Sequence, residues 1–420
     1  MCTHQFGARV GRALFISLAL HAAQLQALTI EEAQQLAETA QPLLEGKRAA
    51  IGAAREASVA ARQLPDPKLR LGVLNLPIEG PEAYTLGQDF MTMRMVGVMQ
   101  EFPRRAKRDL RGETLELEAQ RGERELAFSR LQVRRDAALA WLEAWTAVRA
   151  VDLVQAQQVE AAAQVDALLI ALRNNRASAA DVSAAKVELE LLGDKERMLR
   201  GEERAARAML SRWTGGRSEE ALPESLPDLR VPGSAEALLR HLDSHPHLAA
   251  FDAQVQMATA DAQLADLSRR PDWNVELSYA RRGSQFSDMV SLQLGIDLPI
   301  FQTNRQDRTV AARLSQAQAA REMREDNLRE MRADVSRLFA AWEVGAARTE
   351  GFRERIVPQA RERLEGALAA YRGGKGSLLE VLAARRMLLE VELEQLMRRA
   401  ETARAAIALD YYAHPAGDRQ

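Results

Sequence analysis

The chain carries its own plan twice. Leu172 to Ala185 (LRNNRASAADVSAA) matches Tyr371 to Ala384 (YRGGKGSLLEVLAA) at one fixed offset. Arg173/Arg372, Ser178/Ser377, Val182/Val381, Ala184/Ala383 and Ala185/Ala384 are identical in that alignment. Pro65-Asp66 answers Pro271-Asp272, and Glu101-Phe102-Pro103 answers Asp297-Leu298-Pro299. Both halves read in the same order: helix, Pro-Asp, hairpin, Pro, long helix, turn, helix. A period of about 200 residues is far too long for a solenoid unit, so this is a duplicated half.

Most of each half has helical composition. Leu28 to Arg62 opens on the capping residue Thr29 with Glu31 and Glu32 in the first turn, and Pro65 and Pro67 stop it. Arg104 to Leu172 runs without a proline. Continuous, it would span on the order of 100 Å, which suggests a coiled coil. Ala179 to about Trp213 is its return partner. The second half repeats this with Ala235 to Arg269, Asn304 to Tyr371 and Leu378 to about Tyr412, with Gly351 and Pro358 as irregular points. The domain reading is a first repeat over 28–213, a Gly/Pro/Ser-rich linker over 214–233, a second repeat over 234–412 and a tail over 413–420.

Two short pieces in each half break the helical rule. Trp273, Val275, Leu277 and Tyr279 alternate with polar residues, as do Val290, Leu292, Leu294, Ile296 and Leu298. About ten residues of period two is the length of a tilted membrane strand. The first half has a weaker pair, from Leu69, Leu71 and Val73 to Met93, Met95 and Met99. The strands are expected at about 66–76, 91–102, 272–280 and 289–298, with Arg281 to Ser284 in the second hairpin loop. Four strands cannot close a membrane barrel with a usable interior, because the smallest such barrels have about eight. The chain must therefore pool its hairpins with other copies, or the hairpins are not in a membrane.

The remaining composition narrows the class. Lys+Arg 57 against Asp+Glu 59 leaves no basic excess for a nucleic-acid backbone. One cysteine, Cys2, rules out a disulfide framework and a Cys-based zinc site. Residues 1–27 read as a secretory signal peptide: Arg9 and Arg12, the apolar run Ala13 to Ala23, and a small-residue site ending at Ala27. Beyond it no stretch reaches 18 uninterrupted apolar residues, so no transmembrane helix is expected. G-x-S-x-G, H-E-x-x-H, P-loop and Rossmann fingerprints are missing, so neither an enzyme nor a cofactor is expected. No metal ligands are assigned. His241 and His245 have i,i+4 spacing, but Pro246 restarts the helix between them and His247. Met91, Met93, Met95 and Met99 read as barrel-face filling.

In this order of elements, and in YRGGKGSLLEVLAARRML, His245-Pro246 and GIDLPIF (Gly295 to Phe301), the sequence resembles the TolC-type outer-membrane efflux proteins over about Leu28 to Tyr412. It is similar in particular to their heavy-metal and cation efflux branch. The resemblance implies a mainly α fold with a small β part. It implies a homotrimer whose twelve-stranded barrel sits in outer-membrane lipid and continues as a periplasmic α-helical barrel. It further implies the exit duct of a tripartite efflux system, passively conducting substrates such as metal cations. Its partners would be a periplasmic adaptor and an inner-membrane pump of the proton-driven resistance-nodulation-division type. The competing readings are a soluble periplasmic coiled-coil scaffold or adaptor, and an exit duct for type I protein secretion.

Matching the family's tip motif places adaptor-docking tips at about 173–178 and 372–377. These comprise Arg173, Asn174, Asn175 and Arg176 in the first repeat and Arg372, Gly373, Gly374, Lys375 and Ser377 in the second. The family often has glycine in the first tip, where Asn174 or Asn175 stands here; asparagine tolerates the left-handed conformation better than most residues. Glu380 falls where the resemblance puts a pore-constricting carboxylate, with Asp181 as its counterpart. Three copies would make rings that attract cations. The competing reading for both acids is favourable charge at a helix N-terminus, and for the four tip cations it is charge at helix C-termini.

Overall fold

The computed structural model describes residues 27–231 and 233–414. All of the expected leader except Ala27 lies outside the described residues, as does the tail beyond His414. The elements are α1 (Ile30–Ala40), α2 (Pro42–Ala61), β1 (Lys68–Leu74), β2 (Met93–Phe102), α3 (Arg105–Arg173) and α4 (Ala179–Thr214). They continue as α5 (Ala235–His241), α6 (Pro246–Leu267), β3 (Trp273–Arg281), β4 (Met289–Ile296), α7 (Gln306–Gly351), α8 (Val357–Arg372) and α9 (Leu378–Tyr412). The fold is mainly helical with one small sheet.

Capping residues and prolines account for several of the helix starts. The Thr29 hydroxyl accepts from the Glu32 amide and the Glu32 carboxylate accepts from the Thr29 amide, a reciprocal box that opens α1. The single helix read over 28–62 is in fact two. Gln41 adopts extended backbone and Pro42 starts α2, since proline at a first helical position loses no hydrogen bond. The helix read over 235–269 also divides: a 3₁₀ turn over Leu242–Ser244 separates α5 from α6, which Pro246 opens. Between α7 and α8 the chain makes a π turn, Phe352–Ile356. Pro358 has no amide hydrogen, and its ring clashes with the carbonyl four residues earlier, which loosens the preceding turn. Tyr279 and its neighbours extend one residue further than read, because Arg281 still pairs with Arg94.

The two Pro-initiated helices are joined end to end to the returning helices. Gln41 Nε2 donates to the Arg212 carbonyl near the end of α4 at 2.9 Å. His245 Nε2 meets the Tyr411 carbonyl near the end of α9 at 3.0 Å. His245 Nδ1 accepts from the His247 amide, so the ring proton sits on Nε2. In both repeats a polar residue before proline satisfies a carbonyl that a helix end would otherwise leave unpaired.

The largest core gathers around the middle of α3. Trp141 and Trp145 are fully buried there, and their indole N–H groups donate to the Leu28 and Pro223 carbonyls at 2.8 Å. These bonds tie the segment before α1 and the inter-repeat linker onto α3. A smaller cluster, with Leu242, Leu248, Val335 and Leu409, serves α5, α6, α7 and α9.

Candidate functional site: helical tips and a two-faced sheet

The four strands form one antiparallel sheet in the order β1-β2-β3-β4. Register decides which side chains share a face. Leu69 pairs with Val98, Val98 with Leu277, and Leu277 with Leu292. One face therefore carries a continuous apolar surface that includes Leu71, Val96, Tyr279, Val290, Leu294 and Ile296. It is open to the surroundings, with Leu292 75% exposed. The other face mixes charged, polar and small residues with methionines. There Arg70 reaches Glu276 at 2.8 Å and Lys68 reaches Glu101 at 2.5 Å. Met93, Met95 and Met99 belong to this second face, and the Arg70 guanidinium contacts the Met99 sulfur. Met91 precedes the strand. Among the described residues the outer edges of β1 and β4 have no strand partner.

At the other end of the long helices the chain turns twice. In the first tip the amides of Asn174, Asn175 and Arg176 donate to Ile170, Leu172 and Ala171 carbonyls. In the second, Gly373, Gly374 and Lys375 donate to Ala369, Tyr371 and Ala370. These are the same bonds at the same offset. The left-handed position is Asn175 (φ 55°) in one and Gly374 (φ 69°) in the other. Asn174 is not left-handed.

Both suspected pore acids sit in capping boxes. The Ser178 hydroxyl accepts from the Asp181 amide, and the Asp181 carboxylate accepts from the Ser178 amide and hydroxyl. Those bonds from Ser178 hold the Asp181 carboxyl below its ordinary range. Ser377 and Glu380 repeat the box without the hydroxyl bond. The helix-start reading of both acids is thus realised, and each carboxylate is fixed in direction by it. Arg173, Arg176, Arg372 and Lys375 are all exposed, and no ion pair holds any of them among the described residues. Leu378 and Leu382 pack on Val165, Leu168, Val182 and Ala185, which sets the two tips side by side.

The histidines do not gather as ligands. His245 is buried as a cap, and burial pushes its pKa down to about 4. His247 stacks on Phe128 with ring centres 4.2 Å apart. No cluster of three or more His, Cys, Asp or Glu suited to a metal occurs among the described residues. Sequence reasoning missed one polar cluster, at Arg385 and Gln157, because nothing in the local pattern marks either residue as buried.

The pattern of the family described as outer membrane efflux protein matches residues 238–413, essentially the second repeat. The second half of the chain thus carries that family's pattern. The chain is 25% identical over 235 residues to the cobalt-zinc-cadmium resistance protein CzcC of Cupriavidus metallidurans, covering 55% of this chain and 54% of that one. It is 26% identical over 194 residues to the pyoverdine export outer membrane protein OpmQ of Pseudomonas putida, covering 43% and 40%. The matched stretches span about half the length of these curated relatives. The crystal structure of CusC superposes with a TM-score of 0.76 at 16% identity, covering 93% of each chain, and shows that the fold is shared.

Proposed function

We propose that three copies of this chain form the outer-membrane exit duct of a tripartite efflux system. The observation that carries the reading is the sheet: a continuous exposed apolar surface on one face, the Arg70–Glu276 and Lys68–Glu101 pairs on the other, and both edges unpaired among the described residues. An exposed apolar face of this extent suits lipid, and unpaired strand edges cannot remain in lipid. Two copies would give eight strands, whose interior side chains fill; three give twelve and leave room for water.

The duplication supplies the seam. Equivalent positions differ by 206 between β1 and β3 (Lys68 and Asn274) and by 196 between β2 and β4 (Met99 and Gly295), since Lys68 pairs with Met99 and Asn274 with Gly295. Carrying the β2–β3 register over at those offsets sets Leu294 of one copy opposite Leu71 of the next. It also sets Asp297 opposite Lys68, a charge-complementary pair. A chain carrying Leu71→Cys and Leu294→Cys is expected to cross-link to dimers and trimers in outer-membrane fractions. Cross-linking only for pairs shifted in register, or recovery of an unlinked single copy without detergent, would overturn the reading in favour of a soluble scaffold.

The long helices then extend into the periplasm and end at the paired tips. The exposed Arg173, Arg176, Arg372 and Lys375, with Asn174, Asn175, Gly373, Gly374 and Ser377 shaping the turns, dock the adaptor through charge-assisted hydrogen bonds. The adaptor couples the duct to a proton-driven inner-membrane pump. Glu380 and Asp181 ring the narrow end and favour cations. CzcC is named for metal resistance and OpmQ for pyoverdine export. That contrast fits a duct whose cargo the pump selects, with metal cations as the branch resemblance suggests. Glu380→Gln removes the charge yet can keep the cap. Single-channel recordings should show reduced cation selectivity, and unchanged selectivity would remove Glu380 from the gate.

A further inference from the structure

A cavity of about 150 Å³ lies between α3, α4 and α9, about 12 Å along α9 from its start. Two of its lining side chains are buried with a polar atom left unbonded: Arg385, 8% exposed, at Nε, and Gln157, 7% exposed, at Oε1. Buried polar atoms are nearly always satisfied, so two at one cavity call for an occupant. The guanidinium cannot shed its charge. Its Nη1 donates to Gln164 Oε1 at 2.7 Å, a neutral partner. The nearest carboxylate, Glu160, stands 3.8 Å away and is more than half exposed. The lining acid Glu188 is already held by Arg386 at 2.6 Å. Lys195 and Glu390 also line the cavity and cancel in sign. The buried guanidinium is therefore offset only by Glu160, at the far limit of ion-pair distance and in solvent, and its Nε–H has no acceptor.

We infer that this cavity binds a small monovalent anion of halide size, held by Arg385 Nε and by the Gln157 amide turned to present its NH₂. The two ends of a glutamine amide exchange readily, so the second donor requires no other rearrangement. The volume admits a halide with a few waters, since each water takes about 30 Å³. A bound anion neutralises Arg385 and links α9 of the second repeat to α3 and α4 of the first just above the tips. The equivalent position to Arg385 in the first repeat is Lys186, and Gln157 is answered by Ile356. The site therefore occurs once per chain.

The test uses the purified full-length protein. Crystals soaked in sodium bromide should give an anomalous bromine peak within hydrogen-bond reach of Arg385 Nε. Replacing gluconate by chloride at equal ionic strength should raise the thermal unfolding midpoint by about 2 °C in the wild type. Arg385→Met and Gln157→Leu should each abolish both signals. If Arg385→Met does not fold, Gln157→Leu decides the matter, because it leaves the Arg385–Gln164 bond in place. Water density without an anomalous peak, a neighbouring copy's side chain in the cavity, or a chloride shift equal in all variants would each overturn the assignment.

Discussion

The two repeats follow one backbone path with different chemistry. In the first, α3 is unbroken and anchored by two buried tryptophans, and its tip turns on Asn174-Asn175. In the second, a π turn divides the long helix, the core cluster is smaller, and the tip turns on Gly373-Gly374. Yet three backbone hydrogen bonds of each turn coincide at one offset. Each tip needs one left-handed position, one capping hydroxyl and one acid three residues later. Any residue meeting the backbone demand serves, so identity drifts where geometry does not.

The largest expected contrast is in the cores. Trp141→Ala should cost about 3–5 kcal/mol, by lost packing and by orphaning the Leu28 carbonyl. Trp342→Ala in the second repeat, where the ring is only half-buried, should cost less than half as much. Denaturant unfolding of the two variants measures the ratio, and equal costs would break the claim that the first repeat is the anchor.

Next is the contrast between the two helix joints. His245 is buried and neutral, with its pKa near 4 against 6.5 in an unfolded chain. Between those values the unfolded chain binds more protons. Stability therefore rises with pH across that window, is complete above pH 6.5, and loses about 3 kcal/mol as pH falls to 4. Gln41 does the same job in the first repeat without a titrating group. His245→Gln should flatten the pH dependence of unfolding in that window while keeping the bond to Tyr411. A slope unchanged by this substitution would assign the dependence to other groups.

The smallest effects belong to the tips. Gly374→Ala places a side chain at φ 69° and should cost about 1 kcal/mol. Asn175→Gly at the matching position should change stability by about 0.5 kcal/mol or less. Hydrogen exchange of the Lys375 and Arg176 amides, one in each turn, reads the two effects separately. A larger loss at Asn175 would mean that its side chain contributes more than backbone tolerance.

Some of this was legible in the residues themselves. The repeat, the alternating strands and the proline-free helix follow from spacing, and they suffice for a mainly α chain with too few strands to close alone. Thr29, Ser178 and Ser377 announce caps because each is followed three residues later by an acid. The break at Gln41 escaped notice because proline is as acceptable at a helix start as at a stop. Asn175 rather than Asn174 as the left-handed residue was likewise undecided, since both carry the same side chain.

By itself, then, the sequence determined the elements and their doubled order, because periodicity and turn chemistry act over a few residues. Tertiary structure alone decided which helix ends meet, which strands join their apolar sides into one surface, and that Arg385 is buried with its Nε–H unbonded. Those outcomes depend on contacts between residues as far apart as Gln164 and Arg385 or Gln41 and Arg212. No local pattern encodes burial produced by three helices converging.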